Sequence, residues 1–319
     1  MKKVIIILGP TGVGKTGLSI FLAKKLNTEI ISADSMQVYR HMDIGTAKPS
    51  PVELRAVPHH LINILSPEQK FSVGLFREKA VKVIDSLHGM GKIPLLVGGT
   101  GLYIRSLTRG LFEGPGADDS LRKKMEDEEK KHGRGHLYNK LFTIDPDAAG
   151  KINPGDTRRV IRALEVSLID GNNISESQRL STIPSDYDFF KIGLLRDRKE
   201  LYKIIEDRVD RMIEKHLLDE TKELLKLNPN QTALQALGYK EMKLYIDGDV
   251  DMEEAVRLIK KRTKMYAKRQ FTWFKKEPDI IWVDISGIFD KEKIYSKVLK
   301  DVEFLKKLLY RNEITGDAL

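Results

Sequence analysis

A β-branched run, KVIIIL (residues 3–8), leads straight into GPTGVGKT (residues 9–16) and then into GKTGLSIFLAKKL, which carries apolar residues at helical spacing. A strand, a turn of the form G-x-x-x-x-G-K-[ST] and a helix, in that order, leave little choice of architecture. The glycines let consecutive backbone N–H groups fold into a nest, and the helix N-terminus adds partial positive charge. The implied ligand carries linked phosphates. Gly9, Pro10, Thr11, Gly12, Val13, Gly14, Lys15 and Thr16 are therefore the diphosphate-binding candidates. Lys15 is the mobile point charge for the terminal phosphate, and the Thr16 hydroxyl is the expected ligand of a magnesium ion, Mg²⁺. The motif does not say which molecule carries the phosphates.

The first half goes on alternating strand and helix patterns: EIISAD (29–34), HLINIL (60–65), a helix from about Ser72 to Leu87 with Ser72 as N-cap, and KIPLLVGG (92–99). Alternation of this kind predicts an α/β fold, a P-loop-containing parallel sheet with flanking helices and right-handed crossovers. From Gly110 the character changes. FEGPGADD is turn-rich, DDSLRKKMEDEEKKHGRGH is a highly charged helical stretch, and no strand signal returns until DFFKIGLL (188–195). We expect residues 1–116 and 185–319 to form the P-loop core and 117–184 a small all-helical insertion. A long helix (Arg198–Leu227), another from Met252 to about Phe274, a strand IIWVDI (280–285) and a terminal amphipathic helix should follow.

The chain contains no cysteine, which excludes disulfides, thiolate nucleophiles and cysteine-held zinc and fits a reducing, cytoplasmic setting. The apolar run in MKKVIIILGP is five residues long and reads as a buried strand rather than a signal peptide. No apolar stretch approaches the roughly 20 residues of a membrane span. The formal charge is +9, and nine Lys/Arg with no acid lie between Arg257 and Lys276. Arg257, Lys261, Lys264 and Lys268 fall on one helical stripe opposite Val256, Ile259 and Tyr266, a face suited to nucleic-acid phosphates. In the insertion, Asp127, Glu128 and Glu129 alternate with Lys123 and Lys124 at pairing distance, so that face reads as solvated. His59 and His60, adjacent on a strand, point to opposite faces and do not make a metal pair.

Asp34 ends the second strand and Gly98-Gly99-Thr100-Gly101 follows KIPLLV, so both project to the sheet edge that holds the P-loop. Asp34 either faces the ligand or caps its own turn. The glycine loop is either a turn or a place where a ligand approaches the backbone and meets the Thr100 hydroxyl. At this level a small-molecule kinase, with its acid beside a P-loop, fits well. A P-loop RNA-binding protein that uses nucleotide as a switch fits too.

GPTGVGKT, ISADSMQVYRHMDIGTAKP (31–49) and LVGGTGLYIRSL, in this order and spacing, closely resemble the tRNA dimethylallyltransferases (tRNA isopentenyltransferases). The likeness continues through DTRRVIRALEV (156–166), LRDRKELYKIIEDRVDRMI (195–213), QALGYKE (235–241) and AKRQFTWFKK (267–276), nearly the whole chain. The cysteine-free chain resembles the bacterial type. The resemblance implies transfer of a dimethylallyl group from dimethylallyl diphosphate to the exocyclic amine of the adenosine 3′ of the anticodon. On that reading the P-loop holds a leaving group, and the kinase falls to second place.

The resemblance also implies roles. Asp34 is the base that takes the amine proton, Lys15 neutralises the departing pyrophosphate, and Thr100 hydrogen-bonds the bridging oxygen. Asp34, Ser35, Met36 and Gln37, with Thr100, meet the target base. Arg158, Arg159, Val160, Ile161 and Arg162 lie on the insertion's helix. Gln235, Ala236, Leu237, Gly238, Tyr239 and Lys240 form a third tRNA-binding block, and Lys268, Arg269, Gln270, Phe271, Thr272, Trp273, Phe274 and Lys275 a fourth along the anticodon stem-loop. Trp273 and Phe274 suit base stacking and core packing equally. Arg122 and Arg208 are candidates for diphosphate or tRNA backbone, or else for ordinary surface pairs. The protein is expected to act as a monomer.

Overall fold

The computed structural model describes residues 2–112, 114–171, 173–181 and 184–316. Strands β1 (Lys3–Leu8), β2 (Ile30–Ala33), β3 (His59–His60), β4 (Leu95–Gly98), β5 (Asp188–Leu195) and β6 (Ile280–Asp284) form one parallel sheet in the order β3-β2-β4-β1-β5-β6. β1 is buried on both faces, which explains its unbroken β-branched run. Its alternate residues serve two cores. Ile5 and Ile7 pack with Leu18 and Leu22 of helix Lys15–Lys25, while Val4, Ile6 and Leu8 pack with Phe76, Ala80 and Ile84 of helix Val73–Gly89. Ser72 caps the latter helix by accepting from the Leu75 N–H.

Register is what places the functional loops. Leu8 and Ala33 both pair with Gly98, so β1, β2 and β4 end level. A Cβ on Gly98 would lie 2.2 Å from the Ala33 carbonyl, so only glycine permits that closeness. Gly9, Asp34 and Gly99 therefore leave the sheet side by side.

Two elements differ from expectation. HLINIL is not a six-residue strand: Leu61 (φ 62°) and Asn63 (φ 56°) are left-handed, and the chain turns back to bond Val38 instead of extending the sheet. The helix expected over 198–227 breaks at His216 (φ 66°) into Arg198–Glu214 and Leu217–Lys226. The break lets Leu217 and Leu224 join Val209, Tyr239 and Ile259 in a third apolar cluster. Helix Met252–Phe274 is continuous, and the C-terminal amphipathic stretch is two helices, Lys291–Asp301 and Glu303–Gly316.

The chain divides into two compact units, Met1–Thr108 with Asp186–Leu319, and Arg109–Ser185. In the second, helices Asp119–His132, His136–Ile144 and Thr157–Asp170 enclose Met125, Leu141, Val160 and Leu164. It begins at Arg109 rather than 117 because Phe112 packs on this cluster and the Pro115 carbonyl accepts from Arg162 at 2.9 Å. Its centre is a buried carboxylate, Glu165, which accepts from Arg122 through two nitrogens at 2.8 Å and from Arg162 at 2.6 Å. Arg122, read from sequence as a diphosphate or RNA ligand or else an ordinary pair, and Arg162, expected at RNA, both pair with this carboxylate, whose burial demands partners. Val160 and Ile161, also expected at RNA, are buried in the same cluster.

Candidate active site

Gly9 (φ 146°), Gly12 (φ 83°) and Gly14 (φ 112°) give the P-loop a curvature that side chains would resist. A Cβ on Gly9 would stand 2.7 Å from the Leu194 carbonyl of β5. Lys15 Nζ donates to the Gly9 and Pro10 carbonyls, each at 2.9 Å. Burial pushes this ammonium down to about 8; Asp34 opposes the shift, and Arg208 adds to it. Arg208, from helix Arg198–Glu214, donates to Thr11 Oγ1 at 2.9 Å. Burial lowers it to about 10, again against the pull of Asp34. Its Nε is buried and unpartnered among the described residues.

Asp34 does both things the sequence allowed. Oδ1 accepts from the amides of Met36 (2.9 Å) and Gln37 (3.3 Å), capping the turn, while Oδ2 takes no hydrogen bond among the described residues. The carboxyl lines a cavity of about 310 Å³ together with Thr11, Ser35, Met36, Gly45, Thr46 and Arg208. Val209, Met212, Gln235, Ala236, Leu237, Ile259, Thr263, Tyr266 and Arg269 complete its wall. Thr100 Oγ1 accepts from the Ser35 amide at 3.1 Å. Burial, with Asp34 nearby, pushes the Tyr266 phenol pKa up, and the neighbouring Thr100 and Gln270 side chains pull it partly back.

Of the residues predicted from sequence, the first unit gathers Thr11 of the P-loop, Asp34, Ser35, Met36, Arg208, Gln235, Ala236, Leu237 and Arg269 around this one cavity, with Lys15 near enough to feel the charge of Asp34. Others lie elsewhere. Gln37 turns its amide to the Thr46 and Ala47 carbonyls. Tyr239 and Phe274, expected at RNA, are fully buried and pack the core. Trp273 lies beneath the Arg105 guanidinium, 4.3 Å from its ring. Lys240 bonds Gln235 at 2.9 Å, and Gly238 (φ 94°) turns the chain ahead of Tyr239.

Gln270, expected at RNA, is instead a pin. Its Oε1 accepts from the Thr11 amide at 2.8 Å, and its Nε2 donates to the Gly99 carbonyl at 2.9 Å. It thus joins the P-loop to the loop that bears Thr100. Lys268, Phe271, Thr272 and Lys275 line a second cavity of about 500 Å³ with Pro10, Leu201 and Tyr202. The basic stripe is less uniform than its sequence. Lys264 pairs with Glu206 at 2.5 Å and Lys260 with Asp210 at 2.6 Å, both acids on the neighbouring helix, while Lys261, Lys268, Arg269 and Lys275 stay exposed. Sequence reasoning missed Ile259, Thr263 and Tyr266 as cavity residues, although with Gln270 they form one helical stripe.

No group of three or more His, Cys, Asp or Glu could hold a metal among the described residues. His59 bonds the Val57 carbonyl, and His60 pairs with Glu29. The exposed Thr16 hydroxyl at the first helical turn suits a cation held chiefly by ligand oxygens and water, as magnesium is. No helix among the described residues is long and apolar enough to cross a membrane.

Fold and site together define a P-loop α/β protein built to hold a phosphorylated ligand against a carboxylate. A family model described as IPP transferase matches residues 37–277, and one described as Isopentenyl transferase matches residues 2–69. The chain belongs to the IPP transferase family. It is 53% identical over 304 residues to a tRNA dimethylallyltransferase of Thermodesulfovibrio yellowstonii, spanning 93% of this chain and 96% of that one. A tRNA dimethylallyltransferase of Halothermothrix orenii is 48% identical over 93% of this chain and 91% of its own. Among solved structures, a tRNA isopentenylpyrophosphate transferase of Bacillus halodurans is 42% identical and matches with a TM-score of 0.70 over 97% of this chain and 100% of that one. A eukaryotic dimethylallyltransferase acting on tRNA is 32% identical and gives 0.79 over 99% of this chain and 80% of its own.

Replacing Gln270 by Ala leaves the Thr11 amide and Gly99 carbonyl without their partner, at a cost of about 1–3 kcal/mol. Denaturant titration should show that loss, and calorimetry should show weaker binding of inorganic pyrophosphate.

Proposed function

We propose that the protein transfers a dimethylallyl group from dimethylallyl diphosphate to the exocyclic amine of the adenosine 3′ of the anticodon in tRNA, releasing pyrophosphate. The observation that carries this reading is one carboxylate, Asp34, that shares a cavity with Arg208 and lies close enough to both Arg208 and the P-loop Lys15 to oppose the loss of their charge. The relatives named for the same activity support it.

As the allylic C–O bond breaks, negative charge builds on the departing pyrophosphate. Lys15, Arg208 and the P-loop amides are already oriented to receive it, which makes the largest contribution electrostatic. The adenine amine attacks the allylic carbon, and Asp34 Oδ2 takes the amine proton as the N–C bond forms. Such proton transfer contributes about 10²–10⁴ in rate. Thr100 Oγ1 is held at the tip of β4 by the Ser35 amide, and its hydroxyl is the donor we assign to the bridging oxygen. Diphosphate chemistry of this class generally takes a divalent metal. We assign Mg²⁺, held by Thr16 and substrate oxygens, where it supplies further charge neutralisation.

The target base must leave its stack to enter the cavity, and an unstacked loop nucleotide allows this. Exposed Arg158 and Arg159 of the second unit, and Lys268 and Lys275 by the second cavity, are the cations assigned to RNA phosphates.

Incubation of labelled dimethylallyl diphosphate with unmodified tRNA tests the assignment. Label should enter tRNA only with a divalent metal and without ATP or GTP hydrolysis; RNA-stimulated nucleotide hydrolysis with no transfer would overturn it. A pH profile adds a sign. Lys15 titrates near 8 in the free protein, below its ordinary 10.5, so its charge is present below that pH and lost above it. Accordingly kcat/KM for the prenyl diphosphate should fall as pH rises through about 8, and Lys15→Arg should move that limb upward.

A further inference from the structure

Helix Leu217–Lys226 contributes no residue to the cavity, yet one of its side chains holds part of the cavity wall. Glu220 Oε2 accepts from the backbone N–H groups of Asp43 and Ile44, each at 2.9 Å. Its Oε1 accepts from Ile44 (3.0 Å), Gly45 (3.1 Å) and the Tyr239 hydroxyl (2.5 Å). Three successive amides converging on one point form an anion nest. Here the anion is internal, a carboxylate from far along the chain.

Both groups that Glu220 holds adjoin the wall. Asp43–Gly45 leads into Thr46, and Gly45 and Thr46 face the cavity. Tyr239 follows Gln235, Ala236 and Leu237, which face it as well. Gly45 lies so close to the Tyr239 ring that a Cβ there would stand 2.4 Å away. Hydrogen bonds to a charged acceptor are about twice as strong as neutral ones, so one carboxylate can fix this join. Among the described residues, neither the P-loop nor Arg208 bonds to Glu220.

We propose that Glu220 is a positioning residue for the RNA side of the cavity: it locks the 43–46 loop to the 235–239 segment, and so sets the wall against which the extruded base rests. The inference relies on the functional reading above, and it places the effect on RNA rather than on the prenyl diphosphate.

The test is steady-state transfer from labelled dimethylallyl diphosphate to an unmodified anticodon stem-loop. In Glu220→Gln, the stem-loop KM should rise about tenfold, the scale of a lost charged hydrogen bond, while the diphosphate KM stays within about twofold. In Glu220→Ala the nest is empty, and added acetate should lower the stem-loop KM while sodium chloride at equal ionic strength does not. If the Ala variant does not fold, Tyr239→Phe removes one donor only and should give a smaller rise confined to the stem-loop. A folded Gln variant with both constants unchanged, or with both raised together, overturns the inference. So does acetate without effect on a folded Ala variant, or an unaltered stem-loop KM in Tyr239→Phe. Wild-type protein that labels no stem-loop would overturn the functional reading itself, a separate outcome.

Discussion

Two half-buried cations beside a single carboxylate set the character of this molecule. Lys15 and Arg208 are both driven toward neutrality by loss of water, and Asp34 is the opposing charge that restrains each. A group of that composition is short of negative charge, and an anion with several oxygens relieves the shortage. The same imbalance suits the site to the leaving pyrophosphate of the proposed reaction.

Geometry follows from the sheet. Because Leu8 and Ala33 align with the same Gly98, three loops start from one level, and a glycine at the join keeps them within reach. Two helices then close the site from above its edge: Arg198–Glu214 supplies Arg208, while Met252–Phe274 supplies Tyr266 and the Gln270 pin. Lys264–Glu206 and Lys260–Asp210 tie these helices together. Pairs so exposed are worth about 0–1 kcal/mol each, so the buried glutamine holds the loops more firmly than they do.

Much of this was legible in the residues. Local chemistry announced the P-loop, the alternating strands, the Ser72 cap and Asp34 at a strand tip, because each depends on neighbours a few positions away. What escaped depends on distant partners. Nothing around Gln270 indicates that Thr11 and Gly99 will be its companions. Nothing near Arg122 reveals Glu165, and the acids opposite Lys260 and Lys264 sit on another helix. The break at His216 escaped too, since a left-handed histidine leaves no mark in hydrophobic periodicity. HLINIL misled for the opposite reason: its apolar pattern is strand-like, but after His60 the chain leaves β3 for a turn packed under Val38 and Tyr39.

Single-turnover transfer by Asp34→Asn addresses the division of labour at the centre of this account. Asparagine keeps an oxygen for the Met36 and Gln37 amides, so the turn should survive and only the proton acceptor is lost. The rate of N–C bond formation should fall by about 10²–10⁴, with prenyl diphosphate bound as tightly as before. A variant that transfers at the wild-type rate, or one that loses diphosphate affinity in step with its rate, would contradict the assignment of Asp34 as the base.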